Sequence, residues 1–307
     1  MISRKEVEAA WGLIRPHVRR TPVLELGPGL FGIAAPLALK LEALQVSGSF
    51  KGRGAFHKLL ASTVPAAGIV AASGGNHGAA AAYAARALGH KAEIFVPTIA
   101  APAKVARLQS YGAVVHQIGA VYAEARAASE KRAAETDALI APAYEDPVVF
   151  AGAGSVALEF AEQAKFDTLL VAVGGGGLIA GCAAAIGDRI KIVAVETEGT
   201  PTLHEALKAG RPVDVAISGI AADALGASRI GTPNFEIARK LVRESVLVSD
   251  DAVRTTQRAL WEALRVVAEP AGATGLAALM SGVYRPAAGE RVATLICGAN
   301  TDPGSVG

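Results

Sequence analysis

Aromatic residues, cysteines and excess charge are all scarce in this sequence, and each scarcity excludes a class of protein. Only 5% of the 307 residues are aromatic, so the core must be built mainly from Ala, Val, Leu and Ile. The two cysteines, Cys182 and Cys297, are too few for a disulfide framework and too far apart for a metal-binding spacing. The formal net charge is +2, with no basic block, so electrostatics gives no argument for nucleic-acid binding.

An uninterrupted hydrophobic run of membrane-spanning length is also missing. The uncharged stretch 168–187 is about as long as a spanning helix, but four consecutive glycines interrupt it and indicate a strand, a loop and a helix instead. The first eleven residues contain four charged side chains and no apolar signal-peptide core. We therefore expect a protein of the reducing cytoplasm with neither a membrane nor a nucleic acid as partner.

What the sequence does contain is a regular alternation of short apolar strands and helices. Such a rhythm is typical of α/β folds, in which helices cover both faces of a mostly parallel sheet. A helix over 3–17 and a strand over 37–42 come first, and 200–231 is the least regular part. The remaining pattern predicts strands at 68–72, 92–96, 113–117, 138–140, 168–173, 190–195, 245–248 and 292–296, with helices at 79–88, 102–111, 120–136, 150–164, 178–186 and 271–282, and one starting at Ser249-Asp250-Asp251.

The stretch Ser47–Ala55, SGSFKGRGA, is called the lysine loop here, because Lys51 lies among small residues that let a ligand approach the backbone. Most lysines are solvated surface charges. A lysine amine is a good covalent partner for a carbonyl only when it is neutral. At a pKa of about 10.4 the neutral form at pH 7 is rare, roughly one part in a thousand, so a site using Lys51 must lower that pKa or trap the amine as a Schiff base.

Three further glycine-rich loops follow predicted strands, at 73–78, 174–177 and 297–300. We call Ser73–Gly78 the asparagine loop and Gly174–Gly177 the glycine loop. In open α/β sheets, ligands bind at the carboxyl ends of the strands. Because the glycine loop enters a helix, its amides and the helix dipole would form an anion site suited to a phosphate.

The glycine loop also fits a second kind of site. Residues 175–180, GGGLIA, match the dinucleotide pattern G-x-G-x-x-A, and Glu196 ends the next strand where a ribose-binding acid would be. Taken alone, the loop fits a dinucleotide and a simple phosphate cofactor equally well. Two observations favour the phosphate: four adjacent glycines offer several amides to one compact group, and a dinucleotide leaves the lysine and asparagine loops unexplained.

Six motifs, in this order, resemble the serine/threonine dehydratase family of fold-type II pyridoxal-phosphate enzymes, which includes serine racemase. They are SGSFKGRGA (47–55), SGGNHG (73–78), AGAGSVALE (151–159), GGGGLIAG (174–181), EPAG (269–272) and CGAN (297–300). The resemblance implies a two-domain fold, each domain a mostly parallel sheet flanked by helices. The large cofactor-binding domain would comprise 1–65 and 146–307, and the small substrate-closing domain 66–145, with the active site in the cleft between them.

The same resemblance implies roles for individual residues. Lys51 would form the Schiff base with pyridoxal 5'-phosphate and later act as the base on Cα. Phe50 would pack beside the cofactor ring, Asn76 would bind its phenolic oxygen, Glu269 would lie near the ring and Cys297 would face the pyridine nitrogen. The implied phosphate site is formed by amides of Gly174, Gly175, Gly176, Gly177 and Leu178. The implied substrate-carboxylate site is formed by Ser73, Gly75, Asn76 and His77.

The resemblance further implies a cytoplasmic homodimer that acts as a carbon–nitrogen lyase. Its expected reaction is α,β-elimination from L-threonine or L-serine, giving a 2-oxo acid and ammonia. A thiol at position 297 cannot keep the ring nitrogen protonated as an aspartate would, so the ring is a weaker electron sink and loss of the β-hydroxyl is favoured. A 3-hydroxyaspartate dehydratase, a serine racemase and a β-replacement enzyme of the cysteine synthase kind are the alternatives within the enzymes; a dinucleotide-binding protein is the alternative outside this cofactor class.

Four departures from the family pattern refine this expectation. Racemases of the family carry a serine where this chain has Gly74, which favours elimination over racemisation. Some members bind a divalent metal through an acidic residue where this chain has Thr202, so we expect no metal. The segment 222–226 replaces a glycine common in relatives and alters the substrate pocket. The sequence ends soon after Asn300, so we expect an enzyme without the effector-binding domain of biosynthetic threonine dehydratases.

Overall fold

Two sheets organise the chain, whose residues 2–306 are described by a computed structural model. The first sheet has six strands in the order β1-β2-β10-β7-β8-β9, and the second has four in the order β5-β4-β3-β6. The strands are β1 (Val23–Leu26), β2 (Leu37–Lys40), β3 (Ile69–Ala72), β4 (Ala92–Val96), β5 (Val114–Gln117), β6 (Leu139–Ile140), β7 (Thr168–Ala172), β8 (Lys191–Thr197), β9 (Val242–Val248) and β10 (Val292–Leu295).

Helices cover both sheets and supply most of the buried alanine and leucine of the core. The α-helices are α1 (Arg4–Ile14), α2 (Lys51–Leu60), α3 (Asn76–Ala87), α4 (Pro102–Ser110), α5 (Tyr122–Thr136), α6 (Pro147–Gln163), α7 (Gly177–Ile186), α8 (Thr202–Ala209), α9 (Ala222–Leu225), α10 (Thr232–Leu241), α11 (Asp250–Leu264) and α12 (Pro270–Met280). The predicted mixture of mostly parallel sheets and flanking helices is confirmed.

In the six-stranded sheet only β1 runs antiparallel to its neighbour, and the other pairs are parallel. Every residue of β7 and of β2 is buried, because helices lie on both faces of the sheet. A strand buried on both sides has no solvent face to alternate with, which explains the continuous apolar run Leu169–Ala172 within β7. The core therefore forms two hydrophobic layers, one on each side of this sheet.

The four-stranded sheet is entirely parallel. Helix α3 lies against it with six buried alanines, whose small side chains let the helix pack closely on its neighbours. The carboxyl end of β3 leads through the asparagine loop into this helix, as the carboxyl end of β7 leads through the glycine loop into α7. In both sheets, therefore, a glycine-rich loop and the amino terminus of a helix lie at the carboxyl end of a parallel strand.

Helix α2 lies where the two halves meet. Its apolar side chains, Ala55, Phe56 and Leu59, belong to the core of the four-stranded sheet. Its opposite side contacts α6 so closely that a Cβ on Gly54 would lie 2.7 Å from the carbonyl oxygen of Val149. The predicted division into 1–65 with 146–307 and 66–145 remains a prediction, and α2 packs against both parts.

Several element boundaries differ from the sequence prediction for local physical reasons. Helix α3 begins at Asn76, three residues before the predicted start, so the second half of the asparagine loop belongs to the first helical turn. Helix α6 begins at Pro147 because the Asp146 side chain accepts a hydrogen bond from the Val148 amide. Strand β1 and helix α10 were not predicted. In residues 2–306 no helix is both long and apolar enough to cross a membrane.

Candidate active site

A cleft at the carboxyl ends of β7 and β10 brings most of the predicted site residues together. Its empty volume is about 470 Å³. Ser73, Gly75 and His77 are not part of this lining but lie in the adjoining asparagine loop. The lining comprises Phe50, Lys51, Asn76, Tyr144, Ala172, Gly174, Gly175, Gly176, Gly177, Leu178, Ala224, Leu225, Glu269, Ala271 and Cys297.

Lys51 opens helix α2, so its side chain projects from the end of the helix into the cleft. The preceding backbone is fixed by the 297–300 loop: the Asn300 side chain donates to the carbonyl of Ser47, which has a left-handed φ of 61°. The Lys51 Nζ atom donates to the Ala143 carbonyl at 2.9 Å. Burial lowers the pKa of Lys51 to about 8, which removes much of the handicap that an ordinary lysine would have as a nucleophile or base.

A buried cluster of charged side chains connects α2, two residues after Lys51, to neighbouring segments of the chain. Arg53 donates to Glu42 at 2.7 Å and to Glu159 at 3.0 Å, and Lys40 also donates to Glu159. All four side chains are fully buried, and their charges sum to zero. Removing one member would leave an uncompensated buried charge, so the glutamate that ends the AGAGSVALE motif is needed to hold α2 in place.

The glycine loop presents a row of backbone donors to the cleft. Within residues 2–306, no protein atom accepts a hydrogen bond from the amides of Gly174 through Leu178. Glycine is required here, because Gly176 has a φ of +87° and a Cβ on Gly175 would lie 2.4 Å from the Tyr144 ring. Free amides at the amino terminus of the ten-residue helix α7 form an anion-binding cradle.

The asparagine loop is a second helix amino terminus. The Ser73 Oγ atom accepts a hydrogen bond from the Gly75 amide, and a Cβ on Gly78 would lie 1.9 Å from the Ser73 carbonyl oxygen. Burial, assisted by the Lys51 charge, lowers the pKa of His77 to about 4. Its neutral ring donates through Nε2 to the Ala141 carbonyl at 2.8 Å, so the amide rather than the ring of His77 is free to meet a ligand.

Contacts across the cleft join the asparagine loop to the six-stranded part. The Asn76 side chain donates to Glu269 at 2.6 Å and accepts from Asn300. Burial raises the pKa of Glu269 to about 7, although the hydrogen bond from Asn76 favours the ionised form. At the cleft mouth, Lys104 of α4 forms an ion pair with Asp223 of α9.

Cys297 lies at the end of β10 and is 3% exposed. Its Sγ atom donates to the Ala271 carbonyl at 3.4 Å, and its carbonyl accepts from the Phe50 amide. Burial and the nearby Glu269 carboxyl raise the pKa of this thiol far above neutrality. The position therefore offers the cleft a neutral thiol and no negative charge.

Some residues of the cleft were not predicted from the sequence. Tyr144 packs its ring on the glycine loop, and its neighbour Ala143 accepts from Lys51. Both residues lie between the predicted strand 138–140 and the predicted helix 150–164, where the sequence carries no ligand motif that would place them in the cleft. Glu196, the candidate ribose-binding acid, accepts from the amides of Leu203 and His204 and is absent from the cleft lining. No metal-binding group of three or more His, Cys, Asp or Glu side chains occurs in the described chain.

Comparison with known proteins shows one family throughout. The family profile described as "Pyridoxal-phosphate dependent enzyme" matches residues 14–298. The chain is 35% identical to an L-threonine ammonia-lyase of Geobacter sulfurreducens over 96% of this chain and 75% of the relative. It is 36% identical to a phenylserine dehydratase of Ralstonia pickettii over 94% of this chain and 90% of the relative.

Solved structures agree with the sequence relatives. A serine racemase from maize superposes with a TM-score of 0.93 at 31% identity, covering 99% of this chain and 95% of its own. A threonine deaminase from the organism abbreviated T.th. superposes with a TM-score of 0.91 at 34% identity, covering 98% of this chain and 99% of its own. The likeness therefore extends over both sheets and the cleft between them.

Proposed function

The chain belongs to the family of pyridoxal-phosphate-dependent enzymes, and from this premise we propose that it is an L-threonine/L-serine dehydratase. Such a carbon–nitrogen lyase converts the hydroxy amino acid to a 2-oxo acid and ammonia. The observation that carries the proposal is that one cleft holds a lysine with a lowered pKa, a row of unpaired amides and a neutral thiol. The family assignment removes the dinucleotide interpretation of the glycine loop.

The donors of the cleft fit pyridoxal phosphate. The amides of Gly174 through Leu178 would hold its phosphate, and Lys51 would bind its aldehyde carbon. The cofactor, when bound, acidifies the α-proton of an attached amino acid and allows the β-hydroxyl to leave. In our proposal Phe50 would pack beside the ring, Asn76 would bind the phenolic oxygen with Glu269 nearby, and Cys297 would face the pyridine nitrogen.

Lys51 is proposed to move the α-proton. With a pKa of about 8, roughly one amine in ten is neutral at pH 7, against about one in a thousand or fewer for an exposed lysine. A general base is most effective when its pKa lies near the working pH. Helix α2 holds the backbone of Lys51 in place, while the flexible side chain lets the amine approach the α-proton closely enough to transfer it.

The asparagine loop is proposed to bind the substrate carboxylate. It supplies Ser73, Gly75, Asn76 and His77 at the amino terminus of the twelve-residue helix α3, where the dipole favours a negative charge. Because His77 is neutral and its ring is bound to Ala141, recognition relies on amides and on the side chains of Ser73 and Asn76.

Elimination is proposed rather than racemisation because Gly74 cannot exchange a proton. A Cβ at this position would lie 3.5 Å from Val96, an ordinary contact, so a serine side chain could be accommodated. A serine racemase is the second candidate, which the structural likeness to the maize enzyme supports. A neutral Cys297, which cannot stabilise a protonated ring nitrogen, further favours loss of the β-hydroxyl.

Among dehydratase substrates, 3-hydroxyaspartate is a further alternative, and the relative named phenylserine dehydratase adds a bulkier one. We further propose that the protein works in the cytoplasm as a homodimer, on a small hydroxy amino acid and without nucleic acid, membrane or metal. Sedimentation of the purified protein would test the dimer.

Product analysis tests the proposed reaction. The purified protein, supplied with pyridoxal phosphate, is incubated separately with L-serine, L-threonine, 3-hydroxyaspartate and phenylserine, and the 2-oxo acid, ammonia and D-amino acid are measured. We expect pyruvate from L-serine or 2-oxobutanoate from L-threonine with equimolar ammonia. D-Serine as the main product would replace the dehydratase proposal with the racemase.

A further inference from the structure

The back of the glycine loop, facing away from the cleft, is held by two polar side chains from distant parts of the chain. Asn234 of α10 is fully buried, and its Nδ2 atom donates to the carbonyls of Gly175 at 2.7 Å and Tyr144 at 2.9 Å. Both amide hydrogens of Asn234 are thereby used. Thr202 of α8, also fully buried, donates through Oγ1 to the carbonyl of Gly174 at 2.9 Å.

The orientation of the Asn234 amide group is set by these acceptors. A flipped amide would point its Oδ1 atom at two carbonyl oxygens and lose both hydrogen bonds. In the observed orientation Oδ1 has no hydrogen-bond partner among the described residues, and both N–H groups are used. The side chain therefore satisfies its two carbonyls while its own acceptor stays unpaired.

A hydrogen bond to a carbonyl on the side away from the cleft also orients the amide of the same peptide group towards the cleft. In a planar trans peptide group the C=O and the N–H of the next residue point in opposite directions. The Gly174 carbonyl shares a peptide group with the Gly175 amide, and the Gly175 carbonyl shares one with the Gly176 amide. Bonds from Thr202 and Asn234 to these carbonyls thus turn the Gly175 and Gly176 amides towards the cleft.

The glycine loop needs such an external constraint. Glycine populates both signs of φ readily, so a run of four glycines can rotate its peptide groups at little cost. A rotated group would place a carbonyl oxygen where an anion binds and repel it. The Gly231 amide also contacts the Gly175 carbonyl, at 3.3 Å, but this longer bond gives a weaker restraint.

We propose that Asn234 and Thr202 are positioning residues for the cofactor phosphate, which fix the peptide groups of the glycine loop so that their amides face the anion. The inference rests on the proposed function, in that a phosphate group must occupy this loop. It assigns to two residues outside the cleft an effect on one part of the cofactor only. Neither residue contacts the reacting atoms, so their effect belongs to binding and not to the chemical step.

The test compares pyridoxal phosphate with pyridoxal, which lacks the phosphate. Full-length wild type and the variants Asn234→Leu and Thr202→Val are stripped of cofactor, and the affinity for each compound is measured by absorbance titration. The thermal unfolding midpoint of each protein is measured as well, to show that it is folded. Thr256→Val is the matched control, because Thr256 is a buried threonine whose hydroxyl also donates to a backbone carbonyl, that of Ala252 in its own helix.

We expect Asn234→Leu to weaken pyridoxal-phosphate binding by roughly 10- to 100-fold and pyridoxal binding by less than about 3-fold. Thr202→Val should give about a 5-fold loss with the same selectivity, since its hydroxyl is shared between Gly174 and Glu196. Thr256→Val should leave both affinities unchanged. Thr202→Val changes little in shape, so it tests the inference even where Asn234→Leu does not fold.

Two results would overturn the inference while leaving the proposed function intact: unchanged pyridoxal-phosphate affinity in both variants, or equal losses for the two compounds. A wild-type protein that binds pyridoxal phosphate no more tightly than pyridoxal would instead contradict the premise that a phosphate occupies the loop. The two failures are therefore distinguished by the wild-type titration alone.

Discussion

The glycine loop and the asparagine loop have the same origin but different surroundings. Each follows a parallel strand and starts a helix, so each offers amides and a helix dipole to a ligand. The peptide groups of the glycine loop are held by side chains of α8 and α10, Thr202 and Asn234, which lie in the chain between strands β8 and β9 of the six-stranded sheet. The asparagine loop instead forms hydrogen bonds across the cleft, between the Asn76 side chain and both Glu269 and Asn300 beside the six-stranded sheet.

This difference separates two tasks. Under the proposed function, a cofactor that stays bound through many cycles is served by a rigid cradle, whereas a substrate that enters and leaves is served by a loop that can move. The glycine loop should therefore control cofactor affinity, and the part of the asparagine loop proposed to bind only the substrate carboxylate, Ser73 and Gly75, should control the Michaelis constant. A glycine-loop substitution that changes only the Michaelis constant, or an asparagine-loop substitution that changes only cofactor affinity, would contradict this difference.

The largest effect is expected from Gly176→Ala. An alanine at a φ of +87° is strained, and its Cβ would lie 2.9 Å from Ile230 and 3.0 Å from Asn234. Reshaping the loop should weaken pyridoxal-phosphate affinity by more than roughly 100-fold, as measured by titration of the cofactor-free protein. Gly210→Ala is the control, with a φ of +68° and no atom within 4 Å of its new Cβ. Similar losses in both variants would show that backbone strain alone is responsible.

Glu269→Gln should change how stability depends on pH. Wild-type Glu269 has a folded pKa of about 7 against 4.5 when exposed, so the folded state binds the extra proton between these values. The free energy of unfolding of wild type should therefore fall relative to the variant as pH rises from 4.5 to 7, by about 2 kcal/mol. Urea unfolding at pH 5 and pH 8 measures it.

Glu262→Gln, which alters an exposed carboxylate on α11, is the control for that experiment and should show no comparable change between the two pH values. A difference between wild type and Glu269→Gln that stays constant from pH 5 to pH 8 would mean that Glu269 is not held neutral by the cleft. The cross-cleft bond to Asn76 would then be that of an ordinary carboxylate.

Ser73→Ala tests the asparagine loop. Loss of the Ser73 hydroxyl frees the Gly75 amide and removes a proposed contact to the substrate carboxylate. We expect the KM for L-threonine to rise about 10-fold, with pyridoxal-phosphate affinity within about 2-fold of wild type. Ser110→Ala, on the same half of the molecule but at the end of α4, should change neither. A selective loss of cofactor affinity in Ser73→Ala would contradict the separation of tasks.

The smallest effect is expected from Lys104→Ala, which removes the ion pair to Asp223 at the cleft mouth. Both partners are substantially exposed, and such pairs contribute little. The KM should change by less than about 3-fold, and the change should shrink further at high salt. Lys131→Ala, which removes an exposed pair with Glu135 within α5, gives the background. A change of about tenfold confined to Lys104→Ala would make this pair part of substrate recognition.

The sequence predicted the ligand type of the glycine loop from local residues, whereas the task of the asparagine loop came from the family resemblance. Four glycines between an apolar strand and an apolar helix identify an anion site locally, because the amides, the strand end and the helix are all contiguous in sequence. Lys51 was singled out by the small residues around it, but its role came from the resemblance carried by the six motifs together. Most cleft residues named from the family motifs do line the cleft, while their individual roles remain proposals.

Contacts between distant segments could not be predicted. Asn234 lies 59 residues from the carbonyl it holds on Gly175, and Asn76 lies 193 residues from Glu269. Nothing in the local sequence of 232–241 marks a partner of the glycine loop, and the irregular segment before it concealed α10 itself. Strand β1, VLEL, was not predicted; it is an edge strand and none of its four residues is fully buried.

The absorption spectrum of the purified protein, before and after addition of L-threonine or L-serine, tests the central claim most directly. We predict a yellow protein whose band shifts on addition of substrate while a 2-oxo acid is released. Lys51→Ala should lose both signals, and Lys91→Ala, which removes an exposed lysine, should keep them. A colourless protein that cannot be reconstituted with pyridoxal phosphate, or a Lys51→Ala variant with full activity, would contradict the account.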